Sequence, residues 1–328
     1  MPHHPPYPVR WGVVGFGDVV RRKSGPALLA EPTCAVSAIC RLTGDPADAA
    51  NALGAQAERS LEAMIHRDDV DAIYIATPPD DHEDTTLRAL AAGKPILVEK
   101  PLAPTVVAAR RMIEAAEAAA VPLSVAYYRR RNPRLRRIAS LIKSGMIGTV
   151  EAVEIAQLRA DGAKPLAGWR SDNRIAPGGR FSDSHIHALD WLRYAFGPHD
   201  KVAGSLNATT GMVAYALTMR GAPVAGVFHP NVEIAEDRLT VHGDQGQLDA
   251  PIFDPGPIVI QRDGGQMTFD LPDPVHPHQP FFAAIARHIA EGAKSPCTAR
   301  DALGATEITE ALIRANARAQ ANSTAMAE

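Results

Sequence analysis

Gly12-Val-Val-Gly15-Phe16-Gly17-Asp18-Val19-Val20 follows a β-like run and precedes a helical pattern. In such a strand–turn–helix, one glycine permits the tight turn and the next lets the backbone approach a pyrophosphate. The helix N-terminus then faces the negative charge. Gly15 and Gly17 fill those places, with Phe16, Asp18 and Val19 completing the turn, while Val20 stands where a third glycine is expected. At the end of the following strand, Cys40-Arg41-Leu42-Thr43 replaces the acidic residue that binds the adenosine ribose of NAD. Arg41 and Thr43 could hold a 2′-phosphate that an acid would repel, so the lean is to NADP over NAD. A solvated arginine at a strand end is the plain alternative.

A second chemical cluster is Asp183-Ser-His185-Ile-His187. Hydride transfer from an alcohol carbon leaves a proton on oxygen that a side chain must remove. Ile186, Leu189, Leu192 and Phe196 keep helical spacing, which puts Asp183 and His187 on one face, four residues apart. An extended segment would align Asp183, His185 and His187 as metal ligands. A helix turns His185 away, so no metal is expected. The arginines at 129–131, 134, 136 and 137 lack interleaved aromatics and spread over several helix faces, which favours solvated surface over a nucleic-acid patch.

The elements that must position these groups fall into two rhythms. Apolar runs at 9–14, 35–40, 71–76, 95–98 and 122–127 alternate with helical patterns at 18–29, 46–53, 61–66, 82–92 and 105–120. Continuous apolar strands between helices predict a doubly wound parallel α/β sheet, a Rossmann domain over 9–126. The boundary falls near residues 124–130. Beyond it come a helix at 134–143, a long strand at 150–158, a polar loop at 159–180 and a helix from about 184 to 196. Alternating strands then run from 202 to 271, followed by helices at 280–291 and 301–317. This predicts an α+β second domain over 127–328 with a large, mostly antiparallel sheet.

The 328 residues suffice for two domains, and the net charge of −3 gives no global reason for nucleic acid or an anionic membrane as partner. Residues 1–8, rich in Pro and His, read as a disordered leader. No stretch approaches the roughly 18 continuous apolar residues of a membrane span. The three cysteines, Cys34, Cys40 and Cys297, have no metal-binding spacing and suggest a reduced, cytoplasmic compartment.

Four further segments make the reading specific. They are Ala76-Thr77-Pro78-Pro79 with His82, then Glu99-Lys100-Pro101, then Tyr127-Tyr128-Arg129-Arg130, and Gly178-Gly179 before Asp183…His187-Ala-Leu-Asp190. From Trp11 to about Ala315, the chain resembles the glucose–fructose oxidoreductase/inositol dehydrogenase (Gfo/Idh/MocA) family. The resemblance implies an NAD(P)-dependent dehydrogenase or reductase acting on CH–OH groups of sugars, inositols and related polyols, assembled as a homodimer or homotetramer. It implies a catalytic trio of Lys100, Asp183 and His187 bridging the two domains, with a cis Lys100–Pro101 peptide. Lys100 would polarise the reacting oxygen, His187 would act as acid/base, and Asp183 would present His187 and bind a substrate hydroxyl.

By the same resemblance Thr77, Pro78, Pro79, His82, Glu99, Lys100, Trp169 and Arg170 approach the cofactor. Lys100, Tyr128, Arg130, Asp183, His185 and His187 approach the substrate. The family often has Gly at the position of His185 and Phe at that of Arg131, so extra polar groups there could narrow the substrate range. A lone lysine is usually a surface charge and a lone histidine usually packed or solvated; it is their joint order that favours catalysis. Two other functions fit the same pattern: a non-catalytic cofactor-binding sensor, and a lyase that cycles a bound cofactor.

Overall fold

The apolar run Val9–Val14 forms the strand around which the first sheet is built. A computed structural model describes residues 7–160, 166–207 and 209–325, with side chains described to 315. By internal contacts the chain divides into two compact units, Met1–Asn132 with Pro274–Leu303, and Pro133–Asp273 with Gly304–Glu328.

Among the described residues, the first unit holds six parallel strands, β1 (Val9–Val14), β2 (Cys34–Cys40), β3 (Gln56–Glu58), β4 (Ala72–Ile75), β5 (Ile96–Val98) and β6 (Leu123–Val125), in the order β3-β2-β1-β4-β5-β6. All of β4, β5 and β6 is buried, as helices on both faces require. The intervening helices are α1 (Gly25–Ala30), α2 (Ala47–Leu53), α3 (Leu61–Ile65), α4 (His82–Ala91) and α5 (Val106–Ala119). The helix expected over 18–29 is interrupted by a wider turn at Val20–Ser24. Pro26 in the next turn lacks the N–H that would continue a regular ladder.

Strand order reverses direction between β1 and β4, and ligands bind doubly wound sheets at the carboxyl ends of strands at such a switch point. Gly15, Arg41, Ala76, Glu99 and Ala126 each follow the carboxyl end of one of these strands.

The sequence pattern assigns everything from residue 127 onward to the second domain. The structure instead returns 274–303 to the first unit. The physical reason lies in α8 (Gln279–Glu291), which buries Phe281 and Phe282. The Phe282 ring meets Trp11 and Tyr74 edge-on at 6.1 and 5.5 Å, and burying such a ring contributes roughly 2–3 kcal/mol. Val125 N then donates to Cys297 O at 3.0 Å. Of the expected leader, residues 1–6 lie outside the described residues, while the Tyr7 hydroxyl donates to Glu291 at 2.6 Å.

The second unit is built on β7 (Val150–Leu158), β8 (His199–Leu206), β9 (Val213–Met219), β10 (Ala222–His229), β11 (Glu236–Gly243), β12 (Gly246–Ala250), β13 (Ile258–Arg262) and β14 (Gly265–Phe269). Among the described residues they form one sheet, β14-β13-β12-β11-β7-β10-β9-β8, in which only the β7–β10 pair is parallel. Val213, Tyr215, Leu217 and Met219 of β9 are buried at every second position, so one face carries the core. Helices α6 (Pro133–Lys143) and α7 (Ile186–Phe196) pack against each other. The last helix, α9 (Ala299–Ala325), begins in the first unit's segment and continues in the second's.

Arg134 departs from the expected solvated surface. It is fully buried, donating to Pro251 O and, at 2.9 Å, to Asp254 O. These carbonyls replace the water that a buried guanidinium loses. No helix among the described residues is long and apolar enough to cross a membrane.

Candidate active site

Gly15 has φ +98°, and a Cβ there would lie 2.6 Å from Ala76 O. No L side chain fits that approach, which explains why the turn after β1 needs glycine. Its N–H donates to Cys40 O at 2.8 Å, tying the turn to the end of β2. Gly17, exposed, has open space around its missing Cβ, as a backbone approached by a phosphate requires. Phe16 and Val19 are half-buried and Asp18 is exposed. Arg41 donates from Nη1 to Asp45 O at 3.1 Å, so its guanidinium lies over the β2–α2 turn beside exposed Thr43.

The turn after β4 holds Thr77, whose Oγ1 is buried without a hydrogen-bond partner. An unsatisfied buried hydroxyl is costly and fits a group that accepts from or donates to it when bound. His82 is fully buried beneath this turn. Its Nε2 lies 3.1 Å from Thr77 O and its Nδ1 3.0 Å from Pro101 O. Burial pushes the His82 pKa down, and the facing carbonyls only partly offset this. His82 therefore fastens the β4 turn to the β5 turn, a positioning place in the fold unlike the cofactor contact expected of it. Glu99 is also buried, accepting from the Tyr74 hydroxyl at 2.7 Å and from Lys100 N at 3.2 Å. It too supports the turn from beneath. The Lys100–Pro101 peptide is cis, as the resemblance implies, and Lys100 is half-buried.

After β6, Tyr127 is buried and Tyr128 half-buried. Arg130 is buried, with Nη1 3.7 Å from Asp301 Oδ2 and 3.5 Å from Pro296 O. It ties the 128–131 turn to the returning segment, so the substrate contact expected of it is not what its surroundings offer. Tyr128 instead stacks on His278, with centroids 3.9 Å apart and planes at 22°. Sequence reading missed His278. The available signal is the pair of histidines in Pro274-Val-His-Pro-His278, but the sequence pattern puts that segment in the other domain.

In the second unit, residues Phe181–His185 form a wide helical turn that runs into α7. Asp183 on this turn pairs with Arg170, Nε to Oδ2 at 3.3 Å, with both side chains about one-third exposed. Arg170 also lies over the Trp169 ring at 4.3 Å. His187 is buried at the start of α7.

His185, expected to touch substrate, is fully enclosed. Its Nδ1 lies 2.8 Å from Gln157 Oε1 and its Nε2 2.8 Å from the Tyr215 hydroxyl. Burial pushes its pKa down to about 3, so the ring is neutral. Both nitrogens are used, which leaves nothing for a substrate. The Tyr215 ring in turn crosses Gly226 on β10, where a Cβ would lie 2.0 Å from Cζ.

The first unit's glycine turn, the open space at Gly17 and the unsatisfied Thr77 hydroxyl fit a dinucleotide. Comparison with known proteins agrees. Residues 9–127 match the model of an oxidoreductase family with an NAD-binding Rossmann fold, and residues 135–249 match the GFO/IDH/MocA C-terminal domain. Oxidoreductase P35 of Formosa agariphila is 29% identical over 92% of this chain and 97% of its own. The 1,5-anhydro-D-fructose reductase of Ensifer adhaerens is 29% identical over 95% of this chain and 97% of its own. The 3-ketoreductase KijD10 of Actinomadura kijaniata, solved in complex with NADP and TDP-benzene, superposes with a TM-score of 0.78 at 25% identity, over 93% of this chain and 97% of its own. The chain belongs to the Gfo/Idh/MocA family of NAD-binding oxidoreductases.

Proposed function

We propose that the protein transfers a hydride between nicotinamide, NADP ahead of NAD, and a hydroxyl or carbonyl carbon of a sugar, inositol or related polyol. The observation that carries this reading is the corner where β1, β4 and β5 end. There Gly15 abuts Ala76 O, and His82 and Glu99 hold the Lys100 turn from below. When bound, the cofactor supplies the hydride acceptor or donor. Gly15 to Val19 would hold its pyrophosphate and Arg41 with Thr43 its 2′-phosphate, while Thr77, Pro78 and Pro79 would line the turn beside its nicotinamide.

Lys100 donates a hydrogen bond to the reacting oxygen and stabilises negative charge there, which eases loss of the hydroxyl proton. His187 removes that proton in oxidation and returns it in reduction. Asp183 orients His187 and accepts from a neighbouring substrate hydroxyl, and Arg170 holds the Asp183 carboxylate in place. Tyr128 lines the substrate side. The names of two similar proteins support a sugar or ketone substrate: one is a 1,5-anhydro-D-fructose reductase and the other a 3-ketoreductase complexed with NADP. We propose further that the protein works in the cytoplasm as a homodimer or homotetramer, which size-exclusion chromatography with light scattering tests.

The test of the activity is a cofactor-reduction screen over polyols and aldoses with NAD and NADP in parallel. Reduction of NADP by at least one polyol, lost in Lys100→Ala, is expected. Cofactor binding with no turnover on any polyol, aldose or ketose would make the protein a sensor. Turnover that leaves a bound cofactor unconsumed would make it a lyase.

A further inference from the structure

Tyr74 lies in the fully buried strand β4, paired with Val13 of β1 on one side and Leu97 of β5 on the other. Its strand neighbours Ala72, Ile73 and Ile75 are apolar, and packing alone would be served there by a phenylalanine. A hydroxyl enclosed at such a place is costly unless it is bonded. The Tyr74 hydroxyl donates to Glu99 Oε1 at 2.7 Å, and Glu99 Oε2 accepts from Lys100 N at 3.2 Å. The edge-on contact with Phe282, at 5.5 Å and 85°, fixes the Tyr74 ring and so the direction of its hydroxyl. Burial and the neighbouring Glu99 charge push the Tyr74 pKa well up, so the phenol stays a donor through the neutral range. Glu99 N donates to Ile75 O at 2.8 Å, which carries the β4–β5 ladder up to Glu99. At the next residue a side chain takes over, because the Lys100 N–H meets the Glu99 carboxylate.

We propose that Tyr74 is a positioning residue for Lys100: its hydroxyl fixes the Glu99 carboxylate, which holds the Lys100 backbone where the ammonium meets the reacting oxygen. The proposal rests on the hydride-transfer reading and adds to it a residue that acts from inside the sheet. Without the hydroxyl, Glu99 Oε1 loses a donor in a place closed to water. The carboxylate then turns to recover a partner, and its bond to Lys100 N weakens. Displacement of Lys100 by a fraction of an ångström is enough to slow the chemical step, because catalysis by a positioned group depends steeply on geometry. Cofactor affinity is untouched, since the glycine turn that fits the pyrophosphate follows β1 and is tied to β2 by Gly15 N and Cys40 O.

The experiment compares wild type with Tyr74→Phe, which keeps the ring and its contact with Phe282. Amide hydrogen exchange is followed by NMR on the whole chain carrying isotope-labelled lysine, without cofactor. The Lys100 amide should exchange about tenfold or more faster in Tyr74→Phe, the scale of one hydrogen bond to a charged group. The Lys94 amide, bonded to Ala89 O at 3.3 Å outside this corner, should exchange as in wild type. Glu99→Ala should release the Lys100 amide at least as far. In turnover, Tyr74→Phe should lower kcat about tenfold and leave KM for NADP within about twofold. In a Lys100→Ala background the same change should lower kcat no further, because the group being positioned is gone. Unchanged exchange at Lys100 overturns the proposal, as does equal acceleration at Lys94 and Lys100, which marks general loosening of the fold. A fall in kcat that recurs in the Lys100→Ala background overturns it too. Exchange is read without turnover, so a wild type that oxidises nothing would sink the hydride reading while the Lys100 amide still decides whether Tyr74 holds it.

Discussion

His185 and Gln157 are joined at 2.8 Å, imidazole Nδ1 to amide Oε1. The Gln157 amide donates onward to Ser184 Oγ at 3.0 Å, and the Tyr215 hydroxyl faces the other ring nitrogen. With Nδ1 as donor, Nε2 is left to accept from Tyr215, so every member of the chain is satisfied by a neutral ring. This network fastens the turn carrying Asp183 to β7 and β9 from the side opposite solvent. A histidine that looks like a ligand in sequence is an internal anchor.

Replacing His185 with alanine leaves Gln157 and Tyr215 buried with unpaired groups. Destabilisation of about 2–4 kcal/mol is expected, read as a lowered midpoint in urea unfolding. A variant as stable as wild type would show that the network carries no energy.

The same ring imposes a pH dependence on stability. Its pKa falls from 6.5 to about 3 on folding, so the unfolded chain takes up its proton first as pH drops. Stability from this group is complete above about pH 6.5 and is lost toward pH 3. Thermal melts of wild type should steepen their decline through that window relative to His185→Gln. Identical pH slopes would contradict the assignment.

Gly15 and Gly17 should separate fold from binding. Gly15→Ala meets a backbone oxygen at positive φ and should cost on the order of 1–3 kcal/mol of stability together with cofactor affinity. Gly17→Ala has room, so its melting temperature should hold while NADPH binding weakens. Unaltered NADPH binding in Gly17→Ala would remove that turn from the phosphate site.

Arg41 decides between the two cofactors. Arg41→Ala should raise KM for NADP roughly tenfold or more, the loss of a charge-assisted contact, and leave KM for NAD nearly unchanged. Parallel steady-state kinetics with both cofactors check this, and a strict NAD preference in wild type would refute the 2′-phosphate role.

His82 is expected to act through the turns it joins. His82→Ala should lower kcat about tenfold with little change in KM for cofactor, because the Lys100 turn loses its tie to Thr77. An equal loss in cofactor affinity would mean that His82 contributes to binding directly.

Much of this was legible in sequence because the signals are local. Continuous apolar runs mark the parallel strands, with β1 at its observed ends, and the long run at 150–158 marks β7 of the second sheet. The Gly15 turn and the cis Lys100–Pro101 corner sit in short motifs. What escaped depends on tertiary contact. Phe282 packs edge-on against Trp11 and Tyr74 from a segment nearly the full chain away, so 274–303 could not be assigned from periodicity. Arg130, Arg134 and His185 carry polar side chains that sequence reading leaves in solvent or in a cleft, yet each is buried because specific carbonyls, carboxylates or amides meet it. His278 escaped for both reasons.

The most direct measurement is the initial rate of NADP reduction by the best sugar or polyol substrate for wild type and Lys100→Ala, with NADPH affinity measured for both. Loss of the positioned hydrogen-bond donor to the reacting oxygen predicts a fall in kcat of about 10²-fold or more at nearly unchanged cofactor affinity. A Lys100→Ala protein that matches wild-type kcat on every active substrate would contradict the account.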